Sequence, residues 1–163
     1  MRNKMKENNK GFTLIELLVV IAIIGLLSSV ILVAVYNARA KSRDAKRVGD
    51  MSRMPTAFEL FNSTNKGYPP ATGTGLPDYM SPTYVASLPT TTLPADGDCA
   101  TTNAATGQPG NQYYYVPTGT ISTAVINGAT VNVYSDYSYY FCIGSKTGDL
   151  PAGIHYLTPK GIK

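Results

Sequence analysis

The sequence predicts an α+β fold, one long N-terminal helix packed on a small antiparallel β-sheet of about four strands. Three patterns predict it. An apolar run from Phe12 to Tyr36 passes, without a turn signal, into a stretch whose apolar residues recur every three or four positions. Asn127-Gly128 lies between two β-rich runs and is a strong short-range hairpin signal. Tyr137, Tyr139, Phe141 and Ile143 alternate with Ser138, Tyr140 and Cys142, the period of a half-buried strand.

The chain opens on a basic leader, residues 1–11, in which Arg2, Lys4, Lys6 and Lys10 outnumber Glu7 and leave a charge of +3. The whole 163-residue chain is only +4, so residues 12–163 are nearly neutral at +1. The basic balance is therefore mostly the leader, and a nucleic-acid partner is not expected, because that role needs a basic patch on the folded domain. Charged residues make up 15% of the chain, against about 25% in ordinary globular proteins. Residues 67–145 hold only Asp78, Asp96, Asp98 and Asp136 among much Thr, Ser, Asn, Gly and Tyr, a surface suited to an extracellular domain.

Residues 12–36 are long enough, at about 1.5 Å per residue, to cross a hydrocarbon core of about 30 Å. Leu14, Ile15, Leu17, Leu18, Val19 and Val20 surround the helix on all sides, which places it in lipid or among other apolar helices. Glu16 is the only charge in the run, and a carboxylate at membrane depth is costly and usually functional. An ordinary signal peptide, with Ala38-Arg39-Ala40 as its cleavage site, does not suit a run this long that contains Glu16. A plain single-span anchor explains the length but leaves Glu16 and the Gly11-Phe12 junction as accidents. Gly25, Ser28 and Ser29 allow close helix approach.

The string K-GFTLIELLVVIAIIGLLSSV, from Lys10 to Val30, resembles the N-terminus of the type IV pilins and of the type II secretion pseudopilins. The resemblance is dense over residues 10–36 and elsewhere rests on layout. It implies the type IV pilin fold and a prepilin: a structural subunit cleaved after Gly11 by a prepilin peptidase, N-methylated at Phe12 and polymerised into a helical homo-oligomeric filament. It also implies an inner-membrane assembly platform and a cytoplasmic assembly ATPase as partners. The subunit would sit in the cytoplasmic (inner) membrane as a single pass with its N-terminus inside, and later in a surface or extracellular filament. Glu16 is the fifth residue after the cleavage point. Buried in a filament core, it needs a cationic partner, and the amine exposed at Phe12 supplies one. The alternatives are a pseudopilin of a type II secretion or DNA-uptake machine, and a membrane-anchored extracellular binding domain that never polymerises.

Residues 37–66 continue the helix, to about Asn62, with Ala45, Val48, Met51, Met54, Phe58 and Phe61 as its apolar stripe. The spacings Asp44–Arg47, Lys46–Asp50 and Asp50–Arg53 suit intrahelical ion pairs. Pro55 predicts a bend or break near Met51–Pro55. Arg39 to Arg47 reads as a solvated basic face, able to meet anionic headgroups or the acidic head of a neighbouring subunit. Asn65, Lys66 and Gly67 stop the helix, ahead of Pro69 and Pro70.

Residues 67–163 form the head. Residues 68–110, rich in Pro, Gly, Thr and Ala, read as loops and short turns. Asp96-Gly97-Asp98 has the look of a cation loop, but a polar turn is the reading adopted, and no metal site is assigned. Tyr113–Val116, Ile121–Ile126, Thr130–Tyr134 and residues 137–143 are the predicted strands, with a last edge strand in the tail 150–163. Outside the cytoplasm, Cys99 and Cys142 default to a disulfide worth roughly 4 kcal/mol in the chain-entropy model. The seven tyrosines from Tyr113 to Tyr140 read as β-formers with solvated hydroxyls, or as an aromatic contact surface. His155 has no evident ligand set, and no HExxH, P-loop or GxSxG motif is present. No catalytic residue and no cofactor are assigned, and the chain is not expected to be an enzyme.

Overall fold

The computed structural model describes residues 11–73, 75–101, 103 and 107–163. The expected leader lies outside the described residues except for Gly11. Contacts divide the chain into two compact units, Met1–Ala38 and Arg39–Lys163. Helix α1 covers Leu14–Asn65. The sheet follows as strands β1 (Tyr114–Ile126), β2 (Ala129–Ile143), β3 (Gly153–Thr158) and β4 (Gly161–Ile162), all antiparallel and in the order β1-β2-β3-β4. The fold is α+β, as the sequence predicts.

In the first unit the described part of α1 is solvent-exposed throughout, with Leu14 81% and Leu32 72% exposed. The segment is long and apolar enough to cross a membrane. In the second unit the same helix turns one face onto the sheet. Met51, Met54, Phe58 and Phe61 pack there with Tyr115, Tyr137, Tyr139, Phe141, Ile143 and Leu157. This apolar stripe matches the predicted one except at its start, since Ala45 is exposed and Val48 only half-buried.

The predicted break at Pro55 does not occur, and α1 is uninterrupted through that residue. The missing Pro55 N–H costs one hydrogen bond. Buried side chains on both sides, Met51 and Met54 before it and Phe58 and Phe61 after it, tie both turns to one sheet, and that packing outweighs the local defect. The helix ends where Lys66 takes a left-handed conformation (φ 59°) and its N–H donates to Asn62 O at 2.7 Å. Gly67 follows because the chain then passes against β2, where a Cβ would run into the Val133 side chain. Tyr68 pairs with Tyr134 in a bridge there.

The predicted short strands merge. Tyr113–Val116 and Ile121–Ile126 are parts of β1, joined across a register shift between Thr118 and Ile121, and both remaining runs are parts of β2. Pro117 is tolerated inside β1 because β1 is an edge strand, where a missing donor breaks no ladder on the open side. Asn127 (φ 51°) and Gly128 (φ 81°) form the two-residue turn that the dipeptide signals. The predicted tail strand is present as β3, followed by the short β4.

Candidate functional site

The N-terminal turn of α1 holds the residues singled out by the sequence. Phe12 is 88% exposed. Thr13 precedes the helix, and its backbone N–H and hydroxyl donate to Glu16 Oε2 at 2.8 and 2.7 Å. The Glu16 N–H returns a bond to Thr13 Oγ1 at 3.3 Å. This is a reciprocal capping box, Thr-x-x-Glu, which satisfies donors that a helix start otherwise leaves open. Sequence reasoning took Glu16 for a misplaced charge and missed its local partner, although Thr13-Leu14-Ile15-Glu16 carries the signature. Only Oε2 is used. Oε1 has no partner among the described residues, and Glu16 lines an open apolar groove together with Phe12, Ile15, Val19 and Val20. Glu16 thus closes its own helix with one oxygen.

The second unit holds a buried ionic cluster that the sequence did not disclose. Asp44 and Arg47 are both fully buried, with Arg47 Nη1 donating to Asp44 Oδ1 at 2.8 Å. The Asp44 carboxylate also accepts the N–H groups of Gly144 and Ser145, at 2.9 and 3.0 Å, and the Ser145 hydroxyl at 2.8 Å. Arg47 Nη2 donates to Thr92 O at 2.9 Å. Arg43 clasps Asp96 through two bonds of 2.6 Å, and Arg47 Nη1 lies 3.9 Å from Asp96 Oδ2. The Arg43 hydrogen bonds and charge hold the Asp96 carboxyl below its usual range against the opposing effect of its burial. Two cations and two anions thus lock α1 to the 92–96 loop and to the turn after β2.

This cluster corrects the reading of Arg39 to Arg47 as a solvated face. Arg43 and Arg47 are turned inward, and the acidic partner assigned to a neighbouring subunit belongs to this same chain. Asp96 faces arginine rather than a metal, and no group of three His, Cys, Asp or Glu side chains able to hold a metal ion occurs among the described residues. The expected Asp44–Arg47 pair is present, whereas Asp50 accepts the Tyr113 hydroxyl at 3.0 Å. Cys99 and Cys142 are joined in a buried disulfide with Cα atoms 5.5 Å apart. The bond ties the short 3-10 turn Gly97–Ala100 to β2.

The tyrosines divide by face. Tyr113, Tyr115, Tyr137 and Tyr139 are buried against α1, and the Tyr137 and Tyr139 hydroxyls have no hydrogen-bond partner. Burial raises all four above the usual tyrosine range. The expectation of solvated hydroxyls fails for them, because period-two alternation sends residues 113, 115, 137 and 139 inward. His155 is buried beside the Phe141 ring, with Nε2 2.9 Å from Pro151 O, and has no ligand role in this geometry.

Comparison with known proteins points to the N-terminal segment. Residues 6–32 match the family described as the prokaryotic N-terminal methylation motif. The chain is 33% identical over 88 residues to the type II secretion system core protein G of Pectobacterium carotovorum subsp. carotovorum, covering 54% of this chain and 55% of that protein. It is 34% identical over 63 residues to the core protein G of Escherichia coli (strain K12), covering 39% and 43%. It is 42% identical over 55 residues to the type IV major fimbrial protein FimA of Dichelobacter nodosus, covering 34% and 35%. The chain thus spans about half the length, or less, of the curated relatives it matches. No solved structure matches it significantly. The segment that carries Gly11, Phe12 and Glu16 thus bears the prokaryotic N-terminal methylation motif and is similar to type II secretion core proteins and to a type IV major fimbrial protein.

Proposed function

We propose that the protein is a prepilin, cleaved after Gly11, N-methylated at Phe12 and polymerised through α1 into a pilus-like filament. One observation carries the reading. The helix over residues 14–36 is apolar on every side, exposed in the single chain, and bears one carboxylate at its start with an oxygen to spare. Such a helix can pass from lipid into a bundle of like helices with little change in hydrophobic free energy. Glu16 cannot, unless a cation meets it there. Cleavage creates that cation at Phe12, about 6 Å from Glu16 along its own helix and open to a neighbouring copy offset along the filament. The capping box sharpens this role, since it aligns the carboxylate beside the new terminus before assembly.

Prepilin peptidase, an inner-membrane platform and an assembly ATPase are the partners this function requires. The subunit starts as a single pass in the cytoplasmic membrane and ends in a surface filament. A second reading, a pseudopilin whose filament stays short, is favoured by the similarity to type II secretion core proteins. Chemistry is done to this chain rather than by it. Mass spectrometry of the mature protein tests the first step, with an N-terminal N-methyl-Phe12 expected. An intact Met1 or a start at Lys41 would overturn the reading. Glu16→Leu is expected to insert normally and to lower the yield of sheared filaments at least about tenfold, the effect of losing roughly 1.4 kcal/mol per contact. Filament length in sheared fractions separates pilus from pseudopilus.

A further inference from the structure

The two edges of the sheet are guarded unequally. At one edge β4 is only two residues long and is flanked by Lys160 and Lys163, features that resist pairing with a further strand. At the other edge β1 spans 13 residues, and no charge occurs from Tyr114 to Ser135. The near part of β1 is protected. Gly75 O accepts the Tyr115 N–H at 2.7 Å, Pro117 offers no donor, and the register shifts between Thr118 and Ile121. The far part, from Ile121 to Ile126, has none of these devices. Tyr134 faces Ile121 across the hairpin but directs its N–H and C=O the other way, to Tyr68, at 3.0 and 2.7 Å. Ile121 and Tyr134 are therefore a non-hydrogen-bonded pair. Alternation then turns the N–H and C=O groups of Ile121, Thr123 and Val125 toward the open edge. No backbone partner meets them there among the described residues. Ile121 and Val125, on one face of the strand, are 61% and 71% exposed.

We propose that this segment of β1 pairs antiparallel with the same segment of a second copy of the chain, about a two-fold axis at Thr123. The segment is self-complementary in that register. Ile121 of each copy faces Val125 of the other, so both exposed apolar side chains leave water together. Thr123 faces Thr123, and on the other face Ser122 meets Ala124, small side chains that leave room for close approach. The open N–H and C=O groups of Ile121, Thr123 and Val125 bond to their counterparts. A shift of two residues keeps the faces but sets Thr123 against Ile121 or Val125 and strands the other apolar side chain, so the pattern selects one register. A charged peptide finds no countercharge along this edge. The contact closes on two copies and cannot continue head to tail, which separates it from polymerisation through α1. It lies wholly in the second unit, so it stands whether or not the chain polymerises. One short strand pair buries less than the about 1,000 Å² of a stable interface, and covalent trapping is the suitable probe.

Cys99 and Cys142 are bonded to each other, so a single engineered cysteine is the only thiol. The test is mild oxidation of the full chain in neutral detergent, read on a non-reducing gel. Thr123→Cys is expected to form a covalent dimer, because the facing Cα atoms of such a pair lie about 5.5 Å apart, within disulfide reach. Ile121→Cys, Val125→Cys and Thr130→Cys, each alone, should give at least about tenfold less dimer, since this register holds each away from its counterpart. Ile121→Cys mixed with Val125→Cys should dimerise although neither does so alone. Val125→Lys added to Thr123→Cys should lower the dimer about tenfold, because the change acts twice in a two-fold contact and places charge on the edge. The ellipticity of the inward-facing tyrosines reports whether each variant is folded. Absence of the Thr123→Cys dimer, as much dimer from Thr130→Cys, no dimer from the mixture, or unchanged dimer in the folded Val125→Lys variant overturns the proposal.

Discussion

The two parts of α1 share one secondary structure and have opposite burial. Before Ala38 the helix is almost wholly apolar, and Leu14 is 81% exposed. After it the helix is rich in charge, with Arg39, Lys41, Arg43, Lys46, Arg47 and Arg53, yet Asp44 and Arg47 are fully buried. In this chain hydrophobicity alone does not indicate what the single subunit buries. The apolar part has no partner within its own unit, so its burial is left to lipid or to other helices. The charged part meets a sheet, a disulfide-bound loop and three backbone or hydroxyl donors that satisfy its buried carboxylate. Stability of the head and the surface offered to the proposed assembly thus reside in separate stretches of one helix.

The comparison predicts that substitutions in the two parts will not share a readout. Phe58→Ala, at a residue with no exposure and three ring neighbours, should cost the head about 4 kcal/mol in thermal unfolding followed by tyrosine ellipticity. Leu27→Ala, in the exposed part, should leave that transition where it is. A head equally weakened by both would break the distinction. Arg47→Leu comes next, at about 3 kcal/mol, because it leaves the buried Asp44 carboxylate short of its counter-charge. Adding Asp44→Leu should recover part of that loss, and a double variant worse than the single one would show that the hydrogen bonds to Gly144 and Ser145 matter more than the ion pair.

Acid offers a milder probe of the same cluster. Arg43 holds the Asp96 pKa down in the folded head, so the unfolded state binds the proton more readily. That contribution is complete at neutral pH and is lost as the pH falls below about 4. Asp96→Asn should flatten the acid limb of the stability profile, and an unchanged limb would locate the acid sensitivity elsewhere. At the alkaline end the sign reverses in kind. Tyr113, Tyr115, Tyr137 and Tyr139 resist ionisation when folded, so their contribution is lost as the pH rises above about 10. Their ultraviolet ionisation signal should appear only with unfolding. The smallest effect is expected for Lys46→Gln on the exposed flank of α1, within about 0.5 kcal/mol in the same melt.

Much of the architecture was legible in the sequence because it depends on local rules. The apolar run, the three-four spacing through Met51, Met54, Phe58 and Phe61, the Asn127-Gly128 turn and the alternation over 137–143 each name an element by its period or its turn chemistry. Pro55 misled because a local rule was applied where packing on both sides decides. The ionic cluster was hidden for a similar reason. Stepping back from Met51 by four and then three residues reaches Arg47 and Asp44, so the buried stripe could have been continued. A charged residue on a helix is usually solvated, however, and its buried partners, Asp96, Gly144 and Ser145, lie far away in the chain.

By itself the sequence determined the α+β class, the hairpin, the exposed apolar helix and the Gly11-Phe12-Glu16 constellation. These rest on spacing and composition within a few turns of chain. Only the tertiary structure decided which tyrosines are core and which lie on the outer face, that Arg43 and Arg47 turn inward, and that the helix continues through Pro55. Each of these depends on which distant residue arrives at a given strand or helix face. That is settled when α1, the disulfide-bound loop and the sheet bury one another, and no local pattern records it.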